Sequence, residues 1–128
     1  MVELPETGNI LVIDDSPSMR AMVSFTLHEH GYQVKEAENG ADALTQLDEA
    51  CSPYDLIIAD VNMPKMDGID FARQARTRPA YKYTPVIMLT TETASERIES
   101  ARSAGATAWL VKPFQPDRLL EVAKRLID

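Results

Sequence analysis

Four short apolar runs dominate the hydrophobic pattern of this chain, and polar residues follow each of them. Each run is too short to form a helix by itself and is bounded by turn-forming residues, which is typical of strands buried on both faces of a parallel sheet. A fifth segment alternates polar and apolar residues, as expected of an outer strand with one covered face. The five predicted strands lie at residues 10–13, 33–37, 56–59, 86–89 and 108–111.

Segments with helical spacing of apolar residues separate these strands. Ser16 can cap the first helix and Pro17 suits its first position, while Gly31 and Gly105 are expected to end helices. Strand and helix alternate five times, which predicts an α/β fold with a doubly wound five-stranded parallel sheet, five helices and right-handed crossovers. The fourth helix has few large apolar residues, so we expect it to be the least firmly anchored.

The residues that follow the four apolar runs carry functional groups: Asp14 and Asp15, Asp60, Thr90, and Lys112. Ligands bind beyond the carboxyl ends of strands in open parallel sheets, so these side chains are expected at one edge. Clustered carboxylates repel one another unless a cation joins them, and Mg²⁺ prefers hard oxygen ligands with a phosphate as co-ligand. A lysine and a hydroxyl facing that ion can hold phosphoryl oxygens. The pattern predicts a phosphoryl-transfer site with Asp60 as nucleophile, although Asp60 taken alone would be better interpreted as a turn cap.

Composition limits the classes of protein that this chain can belong to. At 128 residues it is expected to form one domain, residues 9–128, after a short lead-in at residues 1–8. No apolar run approaches the length of a membrane span, nothing at the start directs export, and the single Cys51 excludes an internal disulfide. The net charge of −7 argues against binding to nucleic acid or acidic lipid. Basic residues near the end of the third helix are interpreted as solvated surface: Arg73, Arg76, Arg78 and Lys82.

The motifs at the strand ends resemble those of a known family, the receiver domains of two-component response regulators. They are Asp14-Asp15, Asp60 with Met63-Pro64 and Asp67-Gly68, Thr90, and Lys112-Pro113-Phe114. The resemblance covers residues 10–127 and is strongest to stand-alone CheY-like chemotaxis regulators. It implies a flavodoxin-like (CheY-like) fold with strand order 2-1-3-4-5, an order that comes with the family and not from periodicity.

The resemblance also implies roles for individual residues. Asp60 would accept a phosphoryl group from a phosphohistidine on a sensor histidine kinase. Asp15, Asp60 and the backbone carbonyl of Asn62 would bind Mg²⁺, with Asp14 acting through water. Lys112 would pair with the phosphoryl oxygens, and the peptide bond that follows it is expected to be cis.

The resemblance implies that other residues transmit the signal and set the lifetime of the phosphoryl group. Thr90 would move toward the phosphoryl group, and Trp109 would turn inward with it. Asn62 and Glu92, two positions after Asp60 and Thr90, resemble the pair that CheY-like proteins associate with a short-lived phosphoryl group. The sequence departs from the family pattern at Trp109, where tyrosine is usual, and at Thr91, where alanine is common. It departs again at Ser16-Pro17, which follows the acidic pair where phenylalanine is often found.

We expect a cytoplasmic, monomeric switch that acts by binding another protein, with neither nucleic acid nor membrane as partner. The expected binding face comprises the fourth helix, the Trp109 strand and the last helix, with Arg97, Arg102, Lys112, Arg118 and Lys124 contributing charge. Its expected target is the flagellar motor switch protein.

Three alternatives to this function remain at the level of the sequence. One is a stand-alone receiver in a phosphorelay, a stress pathway or a phosphate sink. Another is an aspartate-nucleophile phosphatase, which needs an acid two residues after the nucleophile, where Asn62 stands. A flavin carrier is disfavoured because Asp14-Asp15 would repel the flavin phosphate. Apart from self-phosphorylation and slow autodephosphorylation, no enzymatic turnover is expected.

Overall fold

The computed structural model describes residues 8–91 and 95–127, and for residues 95 and 96 it describes the backbone only. Five parallel strands form one sheet in the order 2-1-3-4-5, so the predicted fold class and strand order are confirmed. Both strands that neighbour β1 pair with it in parallel, and their carboxyl ends therefore lie side by side. The strands are β1 (Asn9–Ile13), β2 (Gln33–Ala37), β3 (Leu56–Asp60), β4 (Val86–Thr90) and β5 (Ala108–Val111).

Within the described residues, five α-helices connect and follow the strands, and a short 3₁₀ helix at Pro79–Tyr81 precedes β4. The Ser16 hydroxyl accepts a hydrogen bond from the Met19 amide and Pro17 occupies the first turn, which confirms the predicted start of the first helix. The helices are α1 (Pro17–His28), α2 (Gly40–Glu49), α3 (Gly68–Arg76), α4 (Ser95–Ser103) and α5 (Pro116–Ile127).

The core consists of two apolar layers, one on each face of the sheet. Helices α1 and α5 cover one face, and α2, α3 and α4 cover the other. Because successive strand residues point to opposite faces, Leu11 and Ile57 belong to the second layer whereas Ile10 and Ile58 belong to the first. Phe71 of α3 is fully buried, and burial of such a side chain stabilises the fold by about 1.5–3 kcal/mol.

The prediction that β5 is buried on both faces is wrong. Among the described residues β5 pairs only with β4 and is therefore an edge strand, so Ala108 and Trp109 are half-buried and Val111 is exposed. β2 is the opposite edge, as the alternating pattern predicted, and most of its residues are exposed. Across residues 8–91 and 95–127, no helix combines the length and the hydrophobicity needed to cross a membrane.

The interpretation of Arg76 as solvated surface is also wrong. Its guanidinium is half-buried and donates to three carbonyl oxygens: those of Tyr81 at 2.8 Å, Thr84 at 2.5 Å and Gly105 at 2.5 Å. Burial lowers the pKa of Arg76 from its ordinary value. Gly105 has a positive φ of 105° and follows the end of α4, so Arg76 fastens the α4–β5 turn to the end of α3.

Candidate functional site

Three carboxylates meet at the carboxyl edge of the sheet. Asp14 and Asp15 follow β1, and Asp60 is the last residue of the neighbouring β3. One carboxylate oxygen from each lies within 4.8 Å of the others, an arrangement that could hold a metal ion. Asp14 and Asp60 are buried, with 1% and 4% of their surfaces exposed, whereas Asp15 faces solvent.

Lys112, the residue that follows β5, extends to this cluster along the same edge of the sheet. Its ammonium nitrogen lies 3.2 Å from Asp60 Oδ1 and 3.7 Å from Asp14 Oδ2. The backbone is fixed at the same point, because the Lys112 amide donates to the Thr90 carbonyl at 2.7 Å. The following Lys112–Pro113 peptide bond is cis, as predicted.

The electrostatics of the two buried carboxyl groups favour a bound cation. Burial raises the pKa of Asp14, and the charges of Asp60 and Asp15 raise it further, against the opposing effects of the Ser16 amide and Lys112. Burial also raises the pKa of Asp60, while Lys112 and the Asn62 amide lower it in part. The ionised forms are therefore disfavoured when no cation is present, and a divalent cation would relieve that cost.

One carboxylate oxygen of the cluster can still accept a hydrogen bond or bind a cation. Asp14 Oδ2 is buried and accepts no hydrogen bond from the described part of the chain. A buried polar atom of this kind is usually satisfied by an ordered water or an ion. Carboxylate oxygens, a backbone carbonyl and water are the ligands that Mg²⁺ prefers, so the donor set fits this ion.

Two of the other predicted site residues lie beside Asp60. The Asn62 amide donates to Asp60 Oδ1 at 3.2 Å, and the Asn62 side chain reaches Thr90 Oγ1 at 3.5 Å. Thr90 is fully buried at the end of β4, and the neighbouring Thr91 is exposed. Glu92 lies outside the described residues.

Trp109 does not belong to this cluster. It lies on β5 opposite Met88 and lines a cavity of about 230 Å³ between β5 and α4, together with Ile98 and Ala101. Trp109 is half-buried, and its strand is part of the face predicted to bind a partner. Ala101 of α4 and Ala104, the residue after the helix, are both buried, so small residues hold this helix against the sheet.

The charges predicted for the binding face are largely paired within the chain. Arg97 lies 3.6 Å from Asp67, and the other two pairs, each at 3.3 Å, are Arg102 with Glu99 and Arg118 with Glu121. Asp67 also accepts a hydrogen bond from the Asp70 amide and so caps α3.

Gly68 has a role that the sequence pattern does not reveal. A Cβ atom at this position would collide with the backbone carbonyl oxygen of Asp60. The close approach brings the start of α3 against the end of β3, and the Gly68 amide donates to the Val61 carbonyl at 3.0 Å. The Asp67-Gly68 turn signal locates this position, but the contact with Asp60 emerges only in three dimensions.

The contacts of Arg20 with the site were also not predicted from the sequence. Its Nη1 donates to the Asp14 carbonyl at 2.7 Å and its Nε donates to Glu36 at 3.1 Å. The only sequence signal is its place in the first turns of the helix that follows the acidic pair, a position where an arginine is ordinarily taken for solvated surface.

The fold and the site together define a flavodoxin-like α/β domain with an acidic pocket at the carboxyl edge of its sheet. Residues 10–124 match the family model of the response regulator receiver domain. The chain belongs to this family, whose members bind Mg²⁺ in the acidic pocket.

Individual relatives are chemotaxis proteins and other receivers. Chemotaxis protein CheY1 of Helicobacter pylori is 41% identical over 113 residues, which cover 88% of this chain and 90% of that protein. The structure of chemotaxis protein CheY4 of Vibrio cholerae superposes with a TM-score of 0.89 at 45% identity, covering 94% of this chain and 99% of that one.

A third relative is the receiver domain of the sensor histidine kinase PA1611 of Pseudomonas aeruginosa, whose structure has a magnesium ion coordinated in its active-site cleft. It superposes with a TM-score of 0.85 at 27% identity, covering 95% of this chain and 98% of that one. The fold and the family are thus shared by proteins of different signalling roles.

Proposed function

We propose that this chain is an Mg²⁺-dependent phospho-acceptor that receives a phosphoryl group on Asp60 from a sensor histidine kinase. The observation that carries the proposal is the ionic contact of Lys112 with Asp60, 3.2 Å long, inside a cluster of three carboxylates. Two-component receivers interact with sensor kinases and with protein targets, and this chain belongs to that family.

In the proposed reaction an Asp60 carboxylate oxygen attacks phosphorus as the bond from phosphorus to the donor imidazole breaks. The imidazole leaves as a neutral base after taking a proton from solvent. Asp15, Asp60 and the Asn62 carbonyl would hold Mg²⁺, with Asp14 acting through water. When bound, Mg²⁺ neutralises the phosphoryl oxygens and the carboxylates. Lys112 supplies the remaining positive charge at the nucleophile.

The response to phosphorylation would pass from Thr90 to Trp109. Thr90 is buried within reach of the Asn62 side chain, so its hydroxyl is placed to exchange that contact for a phosphoryl oxygen. A shift of Thr90 would open space toward β5, into which Trp109 would turn. Asn62 and Glu92 would set the lifetime of the phosphoryl group.

The proposed output is chemotaxis control at the flagellar motor switch protein through α4, β5 and α5. Relatives named as chemotaxis proteins support this choice. The cavity under Trp109 and the exposed Val111 give this face an apolar component, whereas most of its arginines pair internally. We further propose a monomeric, cytoplasmic domain at residues 9–128 after a lead-in at residues 1–8, with no turnover beyond slow autodephosphorylation.

A stand-alone receiver in a phosphorelay, a stress pathway or a phosphate sink is the second candidate. The resemblance to a receiver of a sensor histidine kinase favours keeping it, because the same fold and pocket occur there. An aspartate-nucleophile phosphatase is disfavoured, since the side-chain amide of Asn62 cannot act as a general acid or base at the position where that class of enzyme needs one.

Phosphorylation by a small-molecule donor tests the assignment of Asp60. The chain is incubated with acetyl phosphate and Mg²⁺, the acyl phosphate is reduced with borohydride, and the modified residue is mapped by mass spectrometry. We expect one modified site, Asp60, no labelling of Asp60→Asn, and normal labelling of the control Asp70→Asn, whose carboxylate is exposed on α3. Labelling of a folded Asp60→Asn variant would contradict the proposal.

A further inference from the structure

The turn that carries the two acidic residues is fixed from three directions. The Asp14 amide donates to the Ala37 carbonyl on β2 at 3.2 Å, and the Ser16 amide donates to Asp14 Oδ1 at 2.9 Å. The third bond comes from a side chain, because Arg20 Nη1 donates to the Asp14 carbonyl at 2.7 Å. Of these three bonds, only the last can be removed by a substitution that leaves the turn itself unchanged.

The Asp14 carbonyl belongs to the peptide plane that joins Asp14 to Asp15. Its direction sets the last backbone dihedral of Asp14 and the first of Asp15, and therefore where the Asp15 carboxylate lies relative to that of Asp14. Fixing this one oxygen therefore restrains the backbone from which the two carboxylates project.

The guanidinium that holds this oxygen is itself anchored. Arg20 Nε lies 3.1 Å from Glu36 Oε1 on β2, and 18% of the Arg20 side chain is exposed. The planar fork of arginine allows it to donate to both acceptors at once, which the point charge of lysine does not reproduce. Arg20 therefore connects the acidic turn to a neighbouring strand of the sheet.

We propose that Arg20 is a positioning residue that fixes the Asp14–Asp15 peptide plane against β2 and so presents both carboxylates to the cation. The inference rests on the proposed function, since it assigns the cation to this cluster. Residues that orient metal ligands usually change metal affinity by about 10–100-fold when they are replaced.

A direct charge effect makes the opposite prediction, which allows a decisive test. A guanidinium beside the acidic cluster repels a divalent cation, so its removal by charge alone would tighten Mg²⁺ binding. Loss of positioning weakens binding instead. Arg20→Lys separates the two further, because it keeps the charge and loses the fork.

Mg²⁺ affinity is measured by isothermal titration calorimetry on the wild type and on Arg20→Met, Arg20→Lys and Glu36→Gln, with Lys35→Met as control. Lys35 is an exposed cation on β2 beside Glu36, so Lys35→Met changes the net charge by the same amount as Arg20→Met. We expect affinity to fall roughly tenfold for both Arg20 variants. A smaller loss is expected for Glu36→Gln, and the control should remain within about twofold of the wild type.

Phosphorylation by acetyl phosphate provides a second readout. The rate for Arg20→Met is expected to return to that of the wild type at saturating Mg²⁺, and urea unfolding without metal shows whether the variant is folded. Affinity that is unchanged or tighter in folded Arg20→Met, or unchanged in Arg20→Lys, would overturn the role of Arg20. If Arg20→Met does not fold, the Mg²⁺ affinities of Arg20→Lys and Glu36→Gln test the role of Arg20 in its place. A wild type that binds no Mg²⁺ would contradict the proposed function itself and this inference with it.

Discussion

Replacing Arg76 with methionine removes one donor group that serves carbonyl oxygens in three segments of the chain. These are Tyr81 in the 3₁₀ helix, Thr84 before β4 and Gly105 after α4. Hydrogen bonds to a charged group contribute about 1.5–3 kcal/mol each, so the upper limit for three is about 4.5–9 kcal/mol. The cost of burying the guanidinium, which also lowers the pKa of Arg76, offsets part of this. Water can reach some of the released carbonyls, and we expect a net loss of about 3 kcal/mol.

Urea unfolding followed by circular dichroism measures this loss, and about 3 kcal/mol corresponds to a fall of roughly 10 °C in Tm. Arg76→Lys is expected to lose about 2 kcal/mol, because an ammonium keeps the charge but cannot serve three divergent carbonyls. Arg73→Met is the matched control on the same helix, since its pair with Asp70 is exposed on both sides and contributes about 0–1 kcal/mol. A loss below about 1 kcal/mol for Arg76→Met would refute the reasoning, because bonds of that geometry would then contribute no more than the exposed pair.

Three further substitutions test the site and its output. Gly68→Ala is expected to cost about 1–3 kcal/mol in urea unfolding and to slow phosphorylation, because its Cβ would push the backbone of Asp60. Gly40→Ala is the control, because the three atoms nearest to its added Cβ all belong to the side chain of Met66 rather than to backbone, and equal effects of the two substitutions would contradict the argument. Asp60→Asn is expected to raise the Tm of the metal-free protein at pH 7, because the folded state raises the pKa of Asp60 and so disfavours its ionised form. The gain should shrink as the pH falls below the raised pKa of the folded state and vanish well below the ordinary value of 3.8, where the wild-type group is protonated in both states; a gain that grows on acidification would contradict the sign. Beryllofluoride is expected to tighten the binding of the wild type to a labelled motor-switch peptide, as measured by the anisotropy of the peptide. Trp109→Ala is expected to abolish this tightening while Asp60 can still be phosphorylated. If the tightening is unchanged in the variant, Trp109 does not take part in the output.

Much of the fold could be predicted because its signals are local. The apolar runs and the capping residues act over a few neighbours, and both the strands and the first helix lie where these signals placed them. The convergence of Asp14, Asp15 and Asp60 could be anticipated because parallel strands must end at one edge. The strand order came from the resemblance to a family, since periodicity does not distinguish the possible neighbours of a strand.

The wrong predictions for β5 and Arg76 have a different cause, because both depend on contacts between distant segments. β5 has an apolar run like those of the central strands, yet its place at the edge of the sheet exposes Val111. Arg76 was taken for solvated surface because no local pattern shows that three carbonyls, one of them 29 residues away, converge on it.

The sequence by itself determined where strands and helices form and which chemical groups follow the strands, because those properties depend on the residues themselves and on near neighbours. Tertiary structure alone decided which of the arginines became internal connections. Arg20 meets the Asp14 carbonyl, and Arg76 meets the Gly105 carbonyl, only after distant segments have packed together. A guanidinium can be half-buried at such a point because packing presents carbonyl oxygens that replace its water, and that arrangement exists only in the folded chain.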